Sequence, residues 1–96
     1  MRSVKILLKM TKKEVKEQLP NWFNGEVYEI GDEVRNPYSG ETALLDAAEL
    51  SMYDAIKGAE MVLYMGVAAD SCIDVINQGK DWMLAKNPKA YMTLLD

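Results

Sequence analysis

The chain contains no histidine among its 96 residues and only one cysteine, Cys72. Without histidine there is no ordinary general base at neutral pH, no Ser-His-Asp or Cys-His nucleophile, and none of the commonest transition-metal ligand. A lone cysteine allows no internal disulfide. A small domain in an oxidising compartment usually carries several, so the cysteine count points to the cytoplasm. The first apolar run, Ile6 to Leu8, is too short for a signal-peptide core, and no small-residue cleavage site follows it. No stretch approaches the roughly 18 apolar residues of a membrane helix. Walker and GxGxxG glycine patterns are absent as well. The aromatics Trp22, Phe23, Tyr28, Tyr38 and Tyr64 are not interleaved with basic residues, so no base-stacking platform is visible. What remains is carboxylate, lysine or tyrosine chemistry, and no catalytic set or cofactor motif emerges from it.

What is present describes a globular chain. Apolar residues make up 49% and charged residues 27%, a balance that buries a core rather than staying disordered. The length suits one domain, whose small core leaves a thin stability margin. The net charge of −4 hides a polarity. Residues 1–16 set six cations (Arg2, Lys5, Lys9, Lys12, Lys13 and Lys16) against Glu14, a local +5. Residues 17–60 set ten acids against Arg35 and Lys57, a local −8. A basic end on an acidic body suits nucleic acid, the body of its own chain, or a second copy. Nucleic acid is the minor reading.

Capping signals divide the chain. Thr11-Lys12-Lys13-Glu14 fits a capping box and predicts a helix from Lys12 to Leu19, with Val15 and Leu19 inward and Pro20 as its stop. A longer helix joining Val4, Leu8, Val15 and Leu19 is the alternative; the break at Thr11 is preferred. Turn signals then follow at Asn24-Gly25, Gly31-Asp32 and Asn36-Pro37-Tyr38-Ser39-Gly40. The last of these reverses the chain into a β-hairpin within residues 33–45, pairing Glu33–Arg35 with Glu41–Leu45. Such a hairpin needs helices to lean on.

Asp46-Ala47-Ala48-Glu49 resembles a second capping box and opens a long helix over residues 47–65, closed by Gly66. Leu50, Tyr53, Ile56, Ala59 and Leu63 form one stripe; Met52, Ala55, Met61 and Val62 widen it over most of the circumference. A helix apolar on more than one side is central in its domain or shared with a partner. Met52, Tyr53, Ile56, Met61 and Leu63 are therefore the candidate interface, and a homodimer or other homo-oligomer is the expected state. A third helix spans 70–86 with Ile73, Ile76, Trp82 and Leu84 or Ala85 inward, weakened by roughly 1 kcal/mol at Gly79. Pro88 restarts the chain as a last helix over 88–94, packing Tyr91 and Leu94 or Leu95 on the core. The fold class is α+β, mostly α.

Local clusters have local explanations as well as functional ones. Asp70 and Asp74 share a helix face and would suit a divalent cation, although acids in a first helical turn also follow from the helix dipole. Arg35, Asn36 and Tyr38 are the candidate binding residues of the hairpin turn; turn chemistry alone also accounts for asparagine, proline, serine and glycine there. Cys72 reads as a small buried hydrophobe. Seven methionines, three of them Met52, Met61 and Met65 on the long helix, suit either a gap-filling core or an adaptable surface.

Three strings, Asn36 to Glu41 (NPYSGE), Leu50 to Met61 (LSMYDAIKGAEM) and Gly79 to Asp96 (GKDWMLAKNPKAYMTLLD), resemble small proteins encoded by tailed bacteriophages, particularly marine phages that infect cyanobacteria. The likeness covers residues 33–96. It implies a phage accessory protein made in the host cytoplasm. That group has no assigned activity, so the resemblance carries no site residue across. The function expected is binding or assembly without catalysis, with nucleic-acid association through the basic segment and a carboxylate-based metal protein as alternatives.

Overall fold

The computed structural model describes residues 8–67 and 69–96. Val4 of the alternative long stripe, and Arg2 and Lys5 of the basic segment, lie outside them. Along the described chain run α1 (Lys12–Gln18), β1 (Asp32–Arg35), β2 (Thr42–Leu45), α2 (Ala47–Tyr64), α3 (Asp70–Lys86) and α4 (Pro88–Leu94). The class is α+β, mostly α.

Capping chemistry sets the helix starts. The Thr11 hydroxyl accepts the Glu14 N–H at 3.1 Å, while the Thr11 N–H donates to Glu14 Oε1 at 2.9 Å. Asp46 and Glu49 repeat the reciprocal pair at 2.8 and 3.0 Å. Asn87 caps α4 by accepting the Ala90 N–H at 3.1 Å, with Pro88 in the first turn, where a missing N–H costs nothing. Only α3 starts without a side-chain cap, on Ala69. Leu8 is exposed, and the chain enters α1 at Thr11 rather than as one long helix.

The hairpin pairs Asp32 with Leu45 through Arg35 with Thr42, antiparallel. Gly40 takes φ +78° in the turn, a conformation that favours glycine. α2 ends in a Schellman motif around Gly66 at φ +90°: Gly66 N–H donates to the Leu63 carbonyl and Val67 N–H to that of Val62. The chain then folds back, and α2 and α3 pack as an antiparallel helical pair.

The core lies where that pair meets α1, α4 and the hairpin. Val15, Leu19, Leu45, Ala48, Met52, Ile56, Met83, Ala90, Leu94 and Leu95 are all buried. Two of the inward faces differ from those the periodicity predicts. On α3 the buried residues are Gly79 and Met83, while Ile73, Leu84 and Ala85 are exposed and Ile76 and Trp82 only half-buried. The cause is Gly79. A Cβ there would stand 2.8 Å from Ile56 Cγ1 and 3.2 Å from Met52 Sδ, so the bare glycine lets the two helices close together. The contact face centres on the smallest residue of α3, not on its bulkiest. On α2 the buried face is Ala48, Met52, Ile56 and Ala59; Leu50 and Tyr53 sit on its flank.

Two long-range polar ties lock the elements. The Asn87 side-chain amide donates to Glu49 Oε1 at 3.1 Å, with both residues buried. Ser51, wholly buried, donates to the Ala47 carbonyl at 2.7 Å and accepts the Tyr28 N–H at 2.9 Å, pinning the loop of residues 20–31 to α2.

Candidate functional site

The hairpin turn is held by its own polar groups. Asn36 Oδ1 accepts the Tyr38 N–H at 2.8 Å, its backbone N–H donates to the Glu41 carbonyl at 2.8 Å, and its side-chain amide donates to the Thr93 carbonyl at 2.9 Å. Asn36 is thus the strap between the turn and α4. Arg35 is exposed at the end of β1 and Tyr38, 96% exposed, stands at the turn's tip. Both are surface residues, and neither joins a described cavity.

The five candidate interface residues separate. Met52 and Ile56 are wholly buried within the chain, because the glycine contact with α3 uses them, and they present nothing to a partner. Tyr53 and Leu63 are half-buried. Met61 is 65% exposed. Tyr64 (92%), Met65 (72%) and Val67 follow it in the chain, and Ile73 is exposed near the start of α3. These large apolar residues crowd the tip of the α2–α3 pair. Beyond Ala59 on α2 and ahead of Gly79 on α3 no described residue is buried. Helical periodicity counts how apolar a face is; it does not say where the neighbouring element stops covering it. The tip was therefore invisible in the stripe.

Ion pairs flank the pair away from this tip, where Asp70 is exposed at the start of α3. Glu60 accepts Lys57 at 3.2 Å and Lys80 at 3.7 Å. Lys57 also lies 5.7 Å from the Tyr53 ring centroid, and Lys86 lies 5.9 Å from that of Trp82. Lys9, Lys12, Lys13 and Lys16 are exposed on and before α1. Burial, with the carboxylates of Asp54 and Glu26 beside it, raises the Tyr28 hydroxyl above the usual tyrosine range. The Glu14 carboxyl is lowered by hydrogen bonds from the Thr11 backbone and hydroxyl. Asp70 and Asp74 are exposed on α3, and among the described residues no group of three or more histidine, cysteine, aspartate or glutamate side chains is placed to hold a metal ion. Cys72 is a half-buried free thiol. No helix among the described residues is long and apolar enough to cross a membrane.

Fold and surface together define a small α+β chain with a buried polar lock at one end of its helical pair and an apolar tip at the other. No protein-family profile, no curated protein and no solved structure matches it.

Proposed function

We propose that the protein is a non-enzymatic assembly module that associates with a second copy of itself through the tip of the α2–α3 pair. The observation that carries this reading is the exposure of Met61, Tyr64 and Met65 in consecutive turns at the end of one helix. Solvated methionine and tyrosine gain from mutual burial without a demanding geometry, since methionine adapts to the surface it meets and tyrosine keeps its hydroxyl at the rim. The charge balance favours an apolar contact. Two copies each carrying −4 repel through their bodies, and residues 61–69 at the end of α2 carry no charged side chain. The seam thus lies at the end of α2 rather than along its middle, and of the five residues singled out by periodicity Met61 is the one at its centre. The phage resemblance of residues 33–96 fits an accessory role of this kind in a host cytoplasm.

Sedimentation velocity across the micromolar range tests the reading. The wild-type chain shifts from monomer to dimer as concentration rises, and Met61→Glu with Tyr64→Ser holds it monomeric. Because both positions are solvated, that double variant keeps its unfolding free energy to within about 1 kcal/mol. A wild-type chain that stays strictly monomeric at high micromolar concentration would sink the proposal.

A further inference from the structure

A second surface feature lies to one side of the tip. The loop of residues 20–31 does not close fully on the helical pair, and between them runs an open cleft of about 560 Å³. Its size falls within the range of about 300–1,000 Å³ typical of small-molecule sites. Its floor is α2, reduced there to Ala55, Gly58 and Ala59. A Cβ built at Gly58 meets nothing within 4 Å, so the space above it is open. One wall is Trp22, 37% exposed, at the loop's near end, where a Cβ at Gly25 would stand 2.9 Å from Phe23 Cζ and 3.2 Å from Ala55 Cβ. The opposite wall is the first half of α3, with Cys72 and Val75.

The charge on this cleft has one sign. Glu26, Asp54 and Asp74 line it, one each from the loop, α2 and α3, and no lysine or arginine does so among the described residues. Of the three lysines on the helical pair, Lys57 and Lys80 are engaged by Glu60 and Lys86 donates to Gln18. The charged lining is therefore negative above an apolar floor, with an indole alongside. Lys16 belongs to the adjoining hollow beyond Asn24 and Gly25, and the Tyr28 hydroxyl donates to the carboxylates of Asp54 and Glu26.

We infer that this cleft binds a small organic cation: an ammonium or guanidinium group carried on an apolar body. The body lies on the Ala55–Gly58–Ala59 floor against Trp22, and the cationic head meets the carboxylates of Asp54 and Asp74. An aromatic wall adds a cation–π attraction to the Coulombic one. A neutral ligand of the same shape keeps the floor contact and loses the head, and an anion is repelled.

Cleft occupancy has two reporters in the native chain, Trp22 on one wall and the sole thiol, Cys72, on the other. Phenethylammonium is the probe, and 2-phenylethanol and phenylacetate are its neutral and anionic counterparts. In Trp82→Phe, where Trp22 is the only indole, phenethylammonium shifts emission saturably, at about tenfold lower concentration than the alcohol. In the wild-type chain it slows alkylation of Cys72 by N-ethylmaleimide by the same saturation curve, and phenylacetate does neither. Asp54→Asn with Asp74→Asn, both at exposed positions, abolishes the preference for the cation. Gly58→Leu, which fills the floor without altering charge, abolishes the response to cation and alcohol alike. Equal responses to cation and alcohol would overturn the inference, as would a cation response that survives the paired asparagine substitutions in a chain of unchanged circular dichroism.

Discussion

The two ends of the α2–α3 pair are built on opposite terms. At one end, Asp46 caps α2, Asn87 caps α4, and the buried Glu49 carboxyl joins them by accepting from both the Asp46 N–H and the Asn87 amide. At the other, α2 is closed by backbone bonds alone around Gly66 and α3 opens on an uncapped Ala69. Every buried residue of the pair belongs to the first end, up to Ala59 on α2 and from Gly79 onward on α3. In this 96-residue chain the core covers the 18-residue α2 only as far as Ala59. Stability is concentrated where side chains from four elements converge, and the free end is left to present apolar surface.

Substitutions that attack this contrast should differ in size. The largest effect is expected from Asn87→Ala, which removes the cap of α4 and takes one partner from a buried carboxyl. A lost cap costs about 1 kcal/mol and one lost hydrogen bond to a buried carboxylate that keeps its Asp46 partner about 1.5–3 kcal/mol, giving about 2.5–4 kcal/mol by urea unfolding. Asn87→Ser keeps a capping oxygen but not the amide, so it should fall between the two. A double-mutant cycle with Glu49→Ala should return a coupling energy clearly different from zero. Independent, additive losses would show that the lock is two unrelated caps.

The next effect separates two glycines that sequence position makes look alike, both in helix interiors. Gly79→Ala should destabilise by about 1–3 kcal/mol, because the new methyl meets Ile56 at 2.8 Å and forces the helices apart. Gly58→Ala meets nothing and should stabilise by about 0.5–1 kcal/mol through helix propensity alone. Opposite signs in parallel melts are the expected result; two gains would mean the helices do not approach as closely as described. The smallest effect is at the free end. Ala69→Ser supplies the missing cap to α3 from a residue already in extended geometry, and should add about 0.5–1 kcal/mol. No gain would show that the start of α3 is too weakly coupled to global unfolding to register a cap.

Local chemistry made much of this fold legible. Thr11 with Glu14 and Asp46 with Glu49 mark helix starts because each pair lies within one turn, and Asn36 to Gly40 marks the hairpin for the same reason. What stayed hidden depends on partners far along the chain. Gly79 reads as a weak point in a helix until Ile56 is placed against it. Asn87 reads as a helix boundary until its amide finds Glu49, 38 residues earlier. The apolar circumference of α2 signalled surplus hydrophobic surface, but its division into a buried first half and a solvated end is set by how far α3 and α4 reach. Nothing in a single stripe encodes that. The cleft beside α2 was equally invisible, since its three carboxylates are separated by 28 and 20 positions and by no common motif.

The strap from Asn36 to the Thr93 carbonyl spans 57 residues, and the bond from Asn87 to Glu49 also waits on α4. Both therefore close only after residues 87–93 are available. On a ribosome, where those residues emerge last of the described chain, the hairpin and the start of α2 remain without their long-range polar anchors until synthesis has passed them. The α2–α3 pair can form earlier, from neighbours in sequence, but its locked end cannot. Folding should thus complete as a late, nearly all-or-none step triggered by α4, and a chain stalled before residue 87 should be open to proteolysis at the hairpin while its α2–α3 pair is already helical.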